Sequence, residues 1–505
     1  MTAMSPQCLF VCFLLLFILR EGLCARNPGF KARITQKGFN IAINSAIEAL
    51  KENVQKLKIP DQSGKASGFH YSIYNINVVQ FTAPASTLNT IPGVGLSWRA
   101  SGAGIKVHGD FHYKKWFIKA GGSFDADVSG LSFSLGLNIG EDTNGRPTIS
   151  STGCSSNIDH VNFHFKGGMA WLYNLFRGKV GRLIKDTLNK QMCTLINKEI
   201  NEDAKNKLAQ LKVTTRLGKK FLLDYRLIKK PEFQPQYMDT FHKGELFWLT
   251  DPGTESPMNP PPMPNDTDTS SMLYLWMSDY MFDTIGYTAQ KHGFLVYNLT
   301  QKDLPPGNKG ALNTTCSGIQ CIGVLIPQIG KHFPNMNVEL HMNSTRAPKM
   351  EVASGGVTLS FAGKIDMYAT KPGSTAAPFL LTLHATMSTT VDVYIQKELL
   401  FAKIKDLELK LKVEKSAVGE VSDVVLNFLI KQVLKSYLIP QLNDLGKRGF
   451  PLPVTGDIKF QNTKITFAKD TVLISTDLKY SPSTEYEIDD HDMSGPLKFK
   501  PFIRH

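Results

Sequence analysis

Apolar residues at Phe39, Ile43, Ile47, Leu50, Val54 and Leu57 recur every three or four positions, with Glu48, Lys51, Glu52 and Lys56 between them. That spacing predicts an amphipathic helix, ended at Ile59-Pro60-Asp61. The period then drops to two. Ile105, Val107, Phe111 and Tyr113 alternate with Lys106, His108, Asp110, His112 and Lys114, and Leu131, Phe133, Leu135, Leu137 and Ile139 alternate with small polar residues. These are strands with one wet face. A hairpin-type turn at Asn144-Gly145-Arg146-Pro147 leads to Val161, Phe163 and Phe165, and the helical period returns in Leu172, Phe176, Val180, Ile184, Leu188, Met192 and Leu195.

The second half repeats that order. A helix through Tyr280 and Ile285 ends near His292-Gly293, and strands follow at Val338 to Met342, Val391 to Ile395, and Leu407 to Val413. A second amphipathic helix runs through Val421, Val425, Phe428, Leu429, Val433 and Tyr437, halted by Pro440 or soon after, and alternation through Phe460, Ile465, Phe467, Leu473 and Leu478 closes this half. Between the halves lies Ser256-Pro257-Met258-Asn259-Pro260-Pro261-Pro262-Met263-Pro264, whose prolines remove donors and fix φ, so that an extended strut is expected there. A twisted antiparallel sheet with an apolar inner face must be covered, and long helices laid across it can do so. Physics alone leaves two interiors open: an elongated apolar pocket suited to acyl chains, or a dry core.

The length of 505 residues, 42% apolar, provides for real cores in more than one domain. The apolar run Leu9 to Leu19, followed by Gly22 and Cys24, reads as a signal peptide over residues 1–24, and no later segment reaches the length of a membrane span. A secreted chain forms disulfides. Of the four remaining cysteines, grouping along the chain favours Cys154 with Cys193 and Cys316 with Cys321. Sequons at Asn265, Asn298, Asn313 and Asn343 agree with secretion. The net charge of +13 is lopsided: Arg26 to Ile228 carries a surplus of fourteen cations, and Lys229 to His505 a deficit of one. Such a first half is drawn to anionic surfaces.

Catalytic signatures are missing. There is no G-x-S-x-G, H-E-x-x-H, P-loop or C-x-x-C, so no enzyme activity, cofactor or metal is expected. His108 and His112, like His160 and His164, stand four apart on strands, about 13 Å, too far to share one zinc ion, and read as surface histidines.

Several ordered motifs carry a resemblance. Asn27-Pro28-Gly29, Arg33-Ile34-Thr35-Gln36-Lys37-Gly38, Lys58-Ile59-Pro60-Asp61, Cys154-Ser155-Ser156, Asn259-Pro260-Pro261-Pro262, Ser278-Asp279-Tyr280, His332-Phe333-Pro334-Asn335-Met336 and Gly449-Phe450-Pro451-Leu452-Pro453 resemble the bactericidal/permeability-increasing protein, lipopolysaccharide-binding protein and lipid-transfer (tubular lipid-binding) family. The resemblance implies an α+β boomerang of two barrels, each a twisted antiparallel sheet with long amphipathic helices, joined by a central sheet and a Pro-rich linker. The expected divisions are 25–230 and 272–480 for the barrels, 231–271 for the linker and central-sheet segment, and 481–505 for a disordered tail. By the same resemblance, phospholipid or another two-chain lipid fills apolar pockets, and Cys154 and Cys193 match a family disulfide between a strand and the long helix.

Phe39, Ile43, Leu172, Phe176, Phe428 and Leu429 are the candidate lipid contacts. Lys114, Lys115, Trp116 and Lys119 are the candidate contacts with an anionic membrane surface, where Trp116 and Phe117 beside lysines suit the interface. The endotoxin-binding members are more densely basic here, whereas this chain has Asp110, His112 and Trp116 in place of cations, which leaves lipopolysaccharide a secondary candidate. Trp116 as a strand-end core residue is the bland reading. The competing function is a non-lipid pattern-recognition or scaffold protein that binds anionic glycans through its cationic first half. No nucleic-acid partner is expected.

Overall fold

The computed structural model describes residues 26–66, 68–166, 176–304, 306–317, 321–371, 373–374, 376–396, 398–435, 439–447, 449–452 and 458–481. The expected signal peptide and acidic tail lie outside them, apart from residue 481. Strand β1 (Phe30–Thr35) runs straight into helix α1 (Gln36–Val54). Strands β2 (Gln62–Ala66), β3 (Phe69–Thr82), β4 (Ala85–Ile91), β5 (Gly95–Lys115), β6 (Ile118–Glu141), β7 (Pro147–Asn157) and β8 (His160–Lys166) follow. A π-helical turn (Phe176–Val180) then leads into α2 (Gly181–Lys198), a second π-helical turn (Glu199–Ala204) and α3 (Lys205–Ala209). Next come β9 (Thr214–Leu217), β10 (Phe221–Asp224), β11 (Leu227–Gln234), β12 (Tyr237–His242) and β13 (Glu245–Trp248).

Beyond the proline strut lie β14 (Leu273–Ser278), α4 (Asp279–Lys291), β15 (Val296–Leu299), α5 (Ile322–Leu325) and α6 (Pro327–His332). The second body continues with β16 (Asn337–Ala353), β17 (Gly356–Thr370), β18 (Phe379–Gln396), β19 (Leu399–Ile404) and β20 (Glu408–Ser416). It ends with α7 (Asp423–Val433), α8 (Ile439–Gly446), β21 (Phe450–Pro451), β22 (Ile458–Ala468) and β23 (Thr471–Tyr480).

Two curled antiparallel sheets form the bodies. The first has the order β2-β3-β5-β6-β7, with β4 also on β5 and β8 also on β6. Strands as long as β5 and β6 pair with each other and serve two further partners each along the other edge because the sheet bends midway: the β5–β6 register shifts between Ala100 and Ile105, and Gly130 takes φ +70° where a Cβ would meet the Asp159 carboxylate. The second sheet has the order β15-β16-β17-β18-β19-β21, with β20 on β18. Each is lined by its own core. In the first, Phe39, Ile43, Ile47, Leu50 and Val54 of α1 and Ile184, Leu188, Met192 and Ile196 of α2 are buried against the sheet.

A central sheet, β11-β12-β1-β14-β23-β22, ties the bodies together. Strand β1 is hydrogen-bonded on one side to β12 and on the other to β14, which lies beyond the strut. The strut is fastened along this seam. Asn27 donates to the Pro260 carbonyl at 3.1 Å, Arg33 to the Asp266 carbonyl at 2.7 Å, and Thr35 to the Ser271 carbonyl at 2.8 Å. Beneath them Arg33 makes a two-point ion pair with Asp239, at 2.7 and 2.9 Å, while Lys31 reaches the same carboxylate at 3.0 Å.

Three expectations are corrected. The alternating run Phe460 to Leu478 does not close the second body's sheet; as β22 and β23 it joins the central sheet through β14. Pro440 does not end the helical segment. It sits in the first turn of α8, where its missing N–H leaves no helical bond unmade. In α7 the inward face is Leu426 and Ile430, continued by Leu434, and Phe428 lies about 200° around from Leu426 and is 60% exposed. Too many apolar residues crowd this helix for its pattern to reveal one face.

Candidate functional site

The far end of the first body is a hairpin tip. Strands β5 and β6 pair down to Lys114 with Lys119 and Lys115 with Ile118, leaving Trp116 and Phe117 as the turn. Trp116 takes φ +51°, a left-handed backbone that costs a bulky residue on the order of 1–2 kcal/mol. Trp116 is 80% exposed, Phe117 88% and Ile118 45%. No strand-end core holds Trp116. Strain and exposed aromatic area together at one turn make this tip the candidate site.

Cations ring the prongs. Lys114 and Lys119 are exposed, and the Lys115 ammonium sits 4.9 Å from the Phe69 ring centre and 6.0 Å from that of Trp116. All four residues expected at an anionic surface therefore meet at one tip. Sequence reasoning missed Ile118, because alternation gives its face but not its place beside the turn.

The candidate lipid contacts do not converge in the same way. Phe39 and Ile43 are buried in the first core. Leu172 lies outside the described residues; Phe176 opens the first π-helical turn and Leu429 lies in α7, their side chains not among those described. Phe428 faces outward. Two open hollows are lined by other residues: one of about 470 Å³ by Tyr394, Ala402, Lys403, Pro440, Asn443, Asp444 and Lys447, and one of about 600 Å³ by Asp61, Gln62, Ser63, Ser72, Ile73, Tyr74 and His112.

Cys154 on β7 is bonded to Cys193 on α2, with Cα atoms 5.8 Å apart, so the first sheet is stapled to its covering helix. Cys316 is bonded to Cys321 in the loop before α5. Asn265, Asn298 and Asn343 are exposed, and Asn313 is half-buried in a bridge to Asn337. Among the described residues no helix is long and apolar enough to cross a membrane, and no three His, Cys, Asp or Glu side chains are placed to hold a metal ion.

The molecule is thus two apolar-cored bodies joined through a shared sheet, with a cationic and aromatic prong at one end of the first. The chain belongs to the LBP / BPI / CETP family: the model of the family's N-terminal domain matches residues 38–204 and that of its C-terminal domain residues 215–480. It is 29% identical to the bactericidal permeability-increasing protein of Sebastes schlegelii, covering 93% of this chain and 99% of that one. It is also 29% identical to the lipopolysaccharide-binding protein of Homo sapiens, over 92% and 96% of the two chains. The BPI fold-containing family C protein of Homo sapiens is 26% identical over 96% of each. Among solved structures, the crystal structure of lipopolysaccharide binding protein superposes with a TM-score of 0.66 at 27% identity, covering 90% of this chain and all of that one.

Proposed function

We propose that this protein is a secreted, non-enzymatic lipid-binding protein. It docks on anionic membranes through the β5–β6 tip and holds phospholipid acyl chains under the helices of its bodies, with Phe39 and Ile43 among the contacts. One observation carries the reading: Trp116 and Phe117 stand 80% and 88% exposed inside a collar of lysines. Aromatic rings with charged neighbours find partners at the bilayer boundary, where one end is apolar and the other wet. One relative is named as lipopolysaccharide-binding and another as bactericidal and permeability-increasing, which supports lipid as the ligand and lipopolysaccharide as a further one. The apolar run Leu9 to Leu19 and the sequons support secretion. Hydrophobic transfer of about 0.8 kcal/mol per buried CH₂ is ample to retain a two-chain lipid.

The test pairs native mass spectrometry of the secreted protein with sedimentation on vesicles containing phosphatidylserine. Each ring has roughly 200 Å² to bury, so if about a third of it leaves water, the two contribute about 3 kcal/mol. The W116S/F117S variant should bind such vesicles about a hundredfold more weakly, with its co-purified lipid unchanged. An empty wild-type protein with salt-sensitive glycan binding would instead establish the scaffold reading.

A further inference from the structure

Beside the tip lies a wall that the strand pairing assembles from distant residues. His108 on β5, Asp125 on β6 and His164 on β8 stand directly across from one another, and Lys106 stands across from Asp127. His112 pairs across from Ser72, and His70 stands between Lys65 on β2 and Lys114 on β5. His160 lies at the start of β8, across from Ser129. Because Val107, Phe111, Tyr113, Phe124, Ala126 and Phe163 point into the core, all five histidines project from the outer face. The chain has twelve histidines, so five on one wall is a concentration.

On the strands and the loops beside them the fixed charges cancel, with Lys65, Lys106, Lys114, Lys119 and Lys166 balanced in number by Asp61, Asp110, Asp125, Asp127 and Asp159. Asp125 accepts from His108 Nδ1 at 2.7 Å, Asp127 pairs with His164 Nε2 at 3.0 Å, and Asp110 accepts from Asn75 at 3.0 Å. Asp61 and His112 share the shallow 600 Å³ hollow. The π-helical turn packed on β8 adds Arg177 and Lys179, exposed and permanently charged. Imidazole is the side chain that changes charge between about pH 5 and 8. With neutral imidazoles the wall therefore carries a net charge of only two, from Arg177 and Lys179, and each imidazole that takes a proton adds one more. His242, by contrast, lies on β12 in the central sheet, and burial lowers its pKa to about 4, so it takes no part.

We propose that this histidine wall is a second docking face for anionic lipid bilayers, engaged in acidic surroundings, so that a protein held by its tip near neutrality lies down along its first body as pH falls. The inference rests on the tip-docking reading above. Each positive charge brought near an anionic surface strengthens binding about fivefold, so contact by even two of the five gives roughly a 25-fold gain.

The experiment is sedimentation of the full secreted chain on vesicles of phosphatidylcholine with 30% phosphatidylserine, at pH 7.4 and 5.5, about 0.1 M salt. The expected result is at least a tenfold gain at pH 5.5, absent on pure phosphatidylcholine. The gain should be lost in H70Q/H108Q/H112Q/H160Q/H164Q, and H70K/H112K/H160K should bind at pH 7.4 as the wild type does at 5.5. Asp279 and Asp283, on α4 outside the first sheet, also gain protons in this range, so D279N/D283N must keep the gain. Binding at pH 7.4 with no gain in acid, or an equal gain in the glutamine variant, overturns the inference alone. No binding at either pH overturns the tip-docking reading with it.

Discussion

Replacing Asp239 with alanine tests whether the seam between the halves is held by charge. Asp239 is the carboxylate that answers two cations, with side-chain exposures of 1% for Arg33 and 7% for Lys31. Removing one partner of a buried ion pair costs about 3–5 kcal/mol, because the other charge stays buried and unanswered. Here two cations lose the same anion, which argues for the upper end. The Arg33 guanidinium keeps the Asp266 carbonyl at 2.7 Å and lies 3.5 Å from the Tyr237 ring centre and 5.1 Å from that of Trp276, which holds the loss to about 4–5 kcal/mol. Urea denaturation of the full chain, followed by tryptophan fluorescence because Trp276 packs on both cations, gives the number. Limited proteolysis of 256–271 should quicken in parallel, since Arg33 also fastens the strut. The contrast is K31M/R33M/D239L, which removes all three charges and should cost far less than the single change. A cost below about 1 kcal/mol for D239A refutes the reasoning, and a triple variant as damaged as the single one assigns the loss to packing instead.

Two further outcomes follow from the same structure. Loss of Cys154–Cys193, which closes 39 residues, should cost about 4 kcal/mol, against about 2 kcal/mol for Cys316–Cys321, which closes 5; serine substitution at Cys193 and at Cys321 with thermal melts gives the ranking, which is wrong if the short bridge costs more. Burial raises the Asp279 and Asp283 carboxyls to about 6, above the unfolded value near 3.9, so the folded state favours their protons. Their contribution to stability is therefore greatest below about pH 4 and falls as pH rises through about 6. The urea midpoint of wild type minus that of D279N/D283N should decline over that window, and a difference flat with pH would rule out the carboxyls as its source.

What could be read along the chain was whatever depends on neighbours three or four residues away. The period through Phe39 to Val54 placed α1 and its buried face, and the alternation through Ile105 to Tyr113 placed β5 and its inner side chains, because one buried face imposes one spacing. Partners across a sheet leave no such local mark. Nothing around Arg33 announces Asp239, and nothing in Phe460 to Leu478 says that β23 pairs with β14 and carries β22 into the central sheet. Phe428 was misplaced because α7 has apolar residues on both sides, so periodicity could not choose between them. The histidines show the same limit from the other side. Along β5, His108 and His112 are about 13 Å apart, too far to share one zinc ion. Across the sheet, strand spacing of about 5 Å sets His108, Asp125 and His164 in one row, so a wall that spacing along the chain dismissed as scattered surface histidines is made one charged unit by register.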